Sequence, residues 1–332
     1  EIKQRKTKIL ATLGPSSSTI KKIIELSKAG ANAFRLNCSH LNEQSLKDYV
    51  KKIRRVEEIL NKPIGILVDL QGPKIRIGTV RDNKNFLEKD AIFILDLKKE
   101  IGNNRRVTLP HKKIFTSLKK GHPILLDDGK IHLKVTSVKV NEIRTKVVQG
   151  GYLKSNKGVN LPQTNIKTSA LSKLDKKFAS IAVKEGVDWI ALSFVQKPND
   201  IKDLRKICLN KVSIMAKIEK PSALDFIDEI TSLADGIMIA RGDLGVELPI
   251  ESVPRWQKKI IRVARVKGKP VVVSTQMLES MTTSLTPTRA EVSDVANAVF
   301  EGADAVMLSA ESASGSYPIE TVEMMNKIAL NI

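Results

Sequence analysis

Short apolar runs alternate along this chain with stretches whose apolar residues recur at helical spacing. The runs are Thr7–Leu13, Ala31–Cys38, Ile64–Leu70, Asp188–Phe194, Val212–Ile218, Gly236–Ala240, Pro270–Thr275 and Ala303–Leu308. Near-continuous apolar runs of this length suit strands covered on both faces, as in a parallel sheet. Between them, Ser18–Ala29 sets Ile20, Ile23, Ile24 and Leu26 close to a 3.6-residue period, and Leu46–Leu60 carries Leu46, Tyr49, Val50, Ile53, Val56 and Ile59-Leu60. Ala223–Leu233, Val253–Val266, Arg289–Phe300 and Ile319–Leu330 read as later helices, and Pro254 and Pro287 lie near two helix starts, where proline is tolerated. Eight strands of this kind, alternating with helices, predict an α/β fold, the (β/α)8 TIM barrel.

One interval breaks the rhythm. From about Gly72 to Gly158 the pattern turns to short alternating runs, among them Ala91–Leu95, Pro123–Leu126, His132–Val140 and Arg144–Val148. Turn signals divide them: Arg81-Asp82-Asn83, Gly102-Asn103-Asn104, Asp127-Asp128-Gly129 and Gly150-Gly151. The reading is a small antiparallel β-barrel domain inserted after the third strand. The barrel then occupies residues 1–72 and 159–332, and the insertion 73–158.

Composition narrows the function classes. With 332 residues, the chain exceeds one average domain, and 42% hydrophobic residues suit a globular core. No run of 18 uncharged apolar residues occurs, so no helix is expected to cross a membrane. The start, Glu1-Ile2-Lys3-Gln4-Arg5-Lys6, lacks the apolar stretch of a signal peptide. Cys38 and Cys208 form no C-x-x-C pair, which argues against zinc or dithiol chemistry and suits a reducing, cytoplasmic setting. The net charge of +20 raises nucleic-acid binding. Yet the lysines are scattered, and three Tyr and two Trp offer little surface for stacking bases. A solvated basic surface with anionic small substrates fits better, and no nucleic-acid partner is expected.

Chemistry collects where such a barrel keeps its active site, at the C-terminal ends of the strands. The second strand brings Arg35, Asn37 and Ser39 to one face, by the two-residue alternation of a strand. The third ends in Asp69, the fifth in Lys217-Ile218-Glu219, and the sixth runs into Arg241-Gly242-Asp243. The seventh gives Thr275-Gln276, the eighth Ser309-Ala310-Glu311. Glu219 and Asp243, on adjacent strands, are hard oxygen donors suited to Mg²⁺ with water and substrate oxygens completing its shell. Lys217 and Arg35 beside them imply an anionic substrate whose charge spreads during reaction, as in phosphoryl transfer. Arg241-Gly242-Asp243-Leu244-Gly245 reads as a tight, glycine-flanked turn whose N–H groups can hold a carboxylate or phosphate.

The wording of these segments resembles the pyruvate kinase family, over nearly the whole chain. The likeness runs through Thr7-Lys8-Ile9 with Gly14-Pro15, Arg35-Leu36-Asn37 with Ser39-His40, Gly72-Pro73 with Ile75-Arg76, and Asn156-Lys157-Gly158-Val159-Asn160-Leu161-Pro162. Ile214-Met215-Ala216-Lys217-Ile218-Glu219 is its most specific part, followed by Ala240–Gly245, Thr275–Leu278 and Pro287–Glu291. The resemblance implies transfer of a phosphoryl group from phosphoenolpyruvate to ADP, giving pyruvate and ATP. It implies that Lys217 stabilises the phosphoryl group and the enolate, that Arg35 binds the phosphoryl group, and that Glu219 and Asp243 hold Mg²⁺, with Mn²⁺ as an alternative. Backbone groups of Gly242 and Asp243 would bind the substrate carboxylate, Thr275 would face the enolate carbon, and Ser309 would belong to the proton-delivering water network. Arg76 and Lys157, at the two joints of the insertion, would grip the nucleotide phosphates, and the insertion would act as a lid. A homotetramer is implied for the full-length protein. Family members continue past the eighth helix into a C-terminal domain, which the residues up to Ile332 do not include.

One departure bears on cofactors. Asn37, Ser39, Asp69 and the carbonyl of Leu70 match the family's monovalent-cation site. The more familiar form then reads Asp-Thr-Lys-Gly-Pro-Glu, whereas this chain reads Asp69-Leu70-Gln71-Gly72-Pro73-Lys74. Lys74 brings its own compact charge, so the expectation is that it replaces K⁺, as in the potassium-independent subgroup. Cys38 stands where Phe is frequent and should face the outer helices; Leu41 replaces a common Gly; Lys220 follows Lys-Ile-Glu where Asn is usual. A different Mg²⁺ barrel enzyme acting on pyruvate-like enolates, an aldolase or lyase, would share the carboxylates and an arginine but would not need the lid, Arg76 or Lys157. An inactive scaffold is disfavoured because every catalytic group is present.

Overall fold

The computed structural model describes residues 5–166 and 169–332; Glu1–Gln4, part of the leader reading above, lie outside the described residues. Eight parallel strands close into a barrel: β1 (Lys8–Thr12), β2 (Ala33–Asn37), β3 (Gly65–Asp69), β4 (Trp189–Leu192), β5 (Ser213–Ile218), β6 (Gly236–Ala240), β7 (Val271–Ser274) and β8 (Ala305–Leu308). Each lies inside its predicted run, and β1 pairs with both β2 and β8 to complete the closure.

Period-two alternation explains how the barrel holds a core and a site at once. One set of side chains points outward to the helices, including Ile9, Phe34, Ile66, Ile190, Ile214, Ile237, Val271 and Val306. The other points inward and packs a central layer of Leu10, Ala33, Leu67, Ala191, Met215, Met238, Val272 and Met307. Two residues further along the strands, the inward positions are Thr12, Arg35, Asp69, Ser193, Lys217, Ala240, Ser274 and Ser309. The apolar layer is thus the floor, and the polar set above it is the start of the strand-end cavity. Cys38 is buried in the outer layer, facing the helices as expected.

Outer helices follow most strands: α1 (Ile20–Ala29), α2 (Glu43–Leu60), α3 (Lys173–Lys184), α4 (Pro198–Cys208), α5 (Pro221–Asp225), α6 (Ile227–Leu233), α7 (Arg241–Glu247), α8 (Val253–Val266), α9 (Arg289–Phe300), α10 (Ala310–Ala313) and α11 (Pro318–Leu330). Three findings differ from the sequence reading. The helices α3 and α4 were not anticipated. The single helix read over Ala223–Leu233 is two, divided at Phe226. Arg241–Gly245 is not a free turn but the opening of α7, because the chain coils directly off the end of β6.

Between β3 and α3 lies the inserted domain. Its curled sheet has the order Val159–Asn160, Pro123–Leu126, Ile131–Lys139, Glu142–Gln149, Ile92–Asp96, Arg106–Thr108, and Asn85–Leu87 pairs separately with Gly151–Leu153. All pairs are antiparallel except the edge pair Ile92–Asp96 with Arg106–Thr108. It has its own apolar core, from Ile75 through Phe93 and Leu133 to Val159, Leu161 and Ile166. The domain's core therefore continues past the expected boundary at Gly158. The two joints are zipped to each other: Arg76 bridges to Gly158, the Ile77 N–H donates to the Lys157 carbonyl at 3.0 Å, and the Val159 N–H donates to the Ile75 carbonyl at 3.0 Å. Gly72 begins the first joint with φ 71°, and a side chain there would press on Ser193.

Candidate active site

A cavity of about 360 Å³ opens where the strand ends meet the lid. Arg35, Asn37, Ser39, Leu70, Lys74, Arg76, Lys217, Glu219 and Asp243, all named from sequence, line it. Asp69 sits directly beneath and is almost inaccessible, at 1% exposure.

The centre is a charge cluster. The Lys217 ammonium lies 3.1 Å from Asp69 Oδ1 and 2.8 Å from Glu219 Oε1, and donates to Ser193 Oγ at 2.7 Å. Arg35 donates to Asp69 Oδ2 through Nε at 2.7 Å, its second nitrogen lies 2.6 Å from that oxygen, and its third donates to Thr12 Oγ1 at 3.2 Å. Asp69 thus aims two cations into the cavity. Its burial alone would favour the neutral acid, but Lys217 and then Arg35 outweigh that and hold its pKa below the usual range. Burial likewise opposes charge on Lys217, yet Asp69 and Glu219 raise its pKa, so the ammonium stays protonated. Thr12 and Ser193 were missed in the sequence, although the two-residue step from Leu10 and Ala191 leads to them.

Glu219 and Asp243 differ in partners. Glu219 Oε2 accepts the Phe194 N–H at 2.9 Å. Asp243 is open to the mouth but surrounded by protein; lost hydration first, then repulsion from Glu219, raises its pKa to about 6. A cation between the two carboxylates would relieve that repulsion. Among the described residues no group of three or more His, Cys, Asp or Glu could hold a metal. Two carboxylates with open positions fit Mg²⁺, which keeps several waters and shares substrate oxygens, better than an ion needing an all-protein cage. Lys74 stands half-buried in the wall; burial first, then Arg76, lowers its pKa, while Asp243 and Asp69 oppose the change. A larger, shallower groove on the barrel flank, lined by Lys258, Arg262, Arg265 and Glu301, is remote from these groups.

A family model described as pyruvate kinase, barrel domain, matches residues 4–322. The pyruvate kinase of Methylorubrum extorquens is 52% identical over 327 residues, which cover 98% of this chain and 68% of that protein. The chain belongs to the pyruvate kinase family. The Thermotoga maritima pyruvate kinase is 41% identical, with 98% and 70% covered. A solved pyruvate kinase from Cryptosporidium parvum has the same fold, with a TM-score of 0.95 at 34% identity over 98% of this chain and 69% of that one. The chain spans 57% of the Bacillus licheniformis pyruvate kinase. Membership of the pyruvate kinase family makes the chain a phosphotransferase.

Besides Asp69 beneath it, four expected site residues are not in the cavity lining of this pyruvate kinase family member. Lys157 is paired within the lid, 2.8 Å from Asp127. Gly242 lies against Thr275: a β-carbon on Gly242 would come within 2.7 Å of Thr275 Cγ2. Thr275 itself has φ 78°, a rare conformation for a β-branched residue, costing on the order of 1–3 kcal/mol. Its carbonyl is held by Arg241 at 2.7 Å, and Arg241 is locked in turn by Asp294 through two 2.7 Å contacts. The Ser309 N–H donates to buried Glu311 at 2.7 Å, which fixes the end of β8. Lid residue Asp128 lines the cavity and was not anticipated; it adds to the negative surroundings of Asp243.

Proposed function

We propose that this site carries out the glycolytic step in which the phosphoryl group of phosphoenolpyruvate passes to ADP, with Mg²⁺ (or Mn²⁺) and without K⁺. The observation that carries the reading is the protonated Lys217 ammonium, held 2.8–3.1 Å from Glu219 and Asp69 beside Arg35 and Asp243 in one cavity. In this reaction the P–O bond to the enol oxygen breaks and a P–O bond to the terminal ADP oxygen forms. Negative charge moves onto the enolate oxygen, and a proton then adds at the enolate carbon to give pyruvate.

The chain's groups match those needs. Glu219 and Asp243 would hold Mg²⁺, which when bound would supply Lewis-acid neutralisation of the developing negative charge. Lys217 is a fixed cation where charge develops, and its position costs no reorganisation because Asp69, Glu219 and Ser193 already hold it. Arg35, clamped by Asp69 and Thr12, binds the phosphoryl group with its remaining N–H bonds. The first amides of α7, at Gly242 and Asp243, bind the substrate carboxylate. Thr275 faces the enolate carbon, and Ser309 belongs to the proton-delivering water network. Arg76 and Lys157 grip the nucleotide phosphates from the lid joints, Lys157 exchanging Asp127 for a phosphate. Lid closure excludes water from a reaction whose side product would be hydrolysis.

Lys74 takes the place of K⁺. It lines the same cavity as Asn37, Ser39 and Leu70, and its charge is felt by Asp69 and Asp243. A strong rise in activity when K⁺ is added to a sodium- and potassium-free assay overturns this part. The phosphoenolpyruvate partnership, cytoplasmic setting and homotetrameric full-length protein accompany the family reading. A pyruvate-coupled assay of the parent beside Lys217→Met tests the whole: ADP-dependent pyruvate release by the parent and its loss in a folded variant support it. Release without ADP points instead to a lyase.

A further inference from the structure

The mechanism above makes no use of Lys220. It is 5% exposed, far less than a lysine normally is without a dedicated partner. Its ammonium donates to Glu247 Oε1 at 2.8 Å and lies 5.0 Å from the centre of the Phe194 ring. Glu247 is also 5% exposed. The position of this ion pair matters more than its burial. Lys220 directly follows Glu219 at the end of β5. Glu247 stands one helical turn past Asp243 on α7, so the two acids share a helix face. One ion pair therefore ties together the two elements that carry the metal-binding carboxylates.

The same Glu247 oxygen accepts a hydrogen bond from Asn160 Nδ2 at 2.8 Å. Asn160 belongs to the lid strand Val159–Asn160, immediately after the second joint. Phe194 adds another tie. Its N–H holds Glu219, its ring packs against the lid core, and Lys220 sits over that ring. Lid, β5 and α7 thus converge on two charged side chains in the wall of the same cavity, beside the carboxylates rather than among them.

We propose that Lys220 is a positioning residue: its ion pair with Glu247 braces the carboxylate-bearing ends of β5 and α7, and holds Glu247 where it accepts from Asn160 and so fastens the lid joint to them. The brace couples lid closure to metal-site geometry. The metal half rests on the reading of Glu219 and Asp243 as Mg²⁺ ligands; the lid half does not.

The test compares the parent with Lys220→Met/Glu247→Gln, since Lys220→Met alone strands a buried carboxylate and can fail to fold. Amide hydrogen exchange is read on metal-free protein at Ile75–Ile77 and Val159–Leu161, and Mn²⁺ affinity is measured by titration without substrates. The brace predicts joint exchange faster by about tenfold, with the β5 amides unchanged. It predicts Mn²⁺ affinity lower by about tenfold, as for other supporting residues behind a metal ligand. Asn160→Ala should speed exchange at the joint while leaving β5 unchanged, and it keeps the lid half testable if the double variant is unstable. Joint exchange within about twofold of the parent, or faster exchange spread equally over β5, overturns the proposal. Unchanged Mn²⁺ affinity overturns its metal half. Failure of the parent to bind Mn²⁺ refutes the metal reading itself, while a loosened joint still supports the lid half.

Discussion

Replacing Lys217 by Met removes one charge and keeps most of the side chain's bulk. The structure sets the expected cost. On the catalytic side, the ammonium pairs with both Asp69 and Glu219 and contributes its charge from a buried position. Losing one preorganised donor of this kind costs about 10²–10³ in turnover, or about 3–4 kcal/mol. On the stability side, breaking a buried pair costs about 3–5 kcal/mol when the remaining charge is stranded. Here Asp69 keeps Arg35, and Glu219 keeps the Phe194 N–H, so the lower end applies. The loss also reaches Asp243, whose pKa Lys217 now lowers; without it, that pKa moves above about 6 and metal binding near pH 6 weakens. The assay is coupled pyruvate release with saturating Mg²⁺, beside a thermal melt. Turnover within about tenfold of the parent, in a variant that melts cooperatively, would refute the role given to this lysine.

Other consequences follow from the same geometry. Lys74→Glu should make activity rise with added K⁺, because it trades a built-in cation for a carboxylate that needs one; equal rates with and without K⁺ contradict the substitution argument. Asp243 holds a proton between its ordinary pKa of 3.8 and about 6 in the metal-free fold. That contribution favours the folded state at low pH and is lost as pH rises through 6. Mg²⁺ competes with the same proton, so apparent Mg²⁺ affinity should strengthen by about fivefold from pH 5 to pH 6, by about tenfold from pH 5 to pH 7, and level off above, read by titration without substrates. Gly242→Ala should press on Thr275 at 2.7 Å and lower phosphoenolpyruvate affinity with little change in melting temperature. Asp175→Ala should destabilise the protein by about 2–3 kcal/mol in a urea melt, because this buried acid caps α3 through Ser172 and also accepts the Gly72 N–H at the first lid joint.

The parts legible in the sequence were those with a local signal. All eight barrel strands show as apolar runs because both faces of each are covered. Most strand-end residues follow from one rule, the two-residue step beyond the interior layer. That rule also reaches Thr12 and Ser193, whose hydroxyls drew no notice because serine and threonine are common at strand ends. Helix α3 escaped because Lys173, Lys176, Lys177 and Lys184 dilute its apolar face, although the Ser172 to Asp175 capping box marks its start. Helix α4 opens with Pro198-Asn199-Asp200, residues that favour turns, yet Asp200 accepts the Gln196 and Lys197 N–H groups and starts the helix. The left-handed backbone at Thr275 has no sequence mark. The Lys220–Glu247–Asn160 brace was invisible for another reason: its members come from β5, α7 and the lid, and only closure of the barrel brings them together.

The central claim is that Glu219 and Asp243 hold one divalent ion in the cavity that Lys217 and Arg35 face. Anomalous diffraction from crystals soaked in Mn²⁺ tests it most directly. One strong peak bonded to both carboxylates at about 2.0–2.2 Å, with its other positions open to the cavity, is expected. A metal seated elsewhere, or carboxylates too far apart to share it, would rule out Glu219 and Asp243 as a joint metal site.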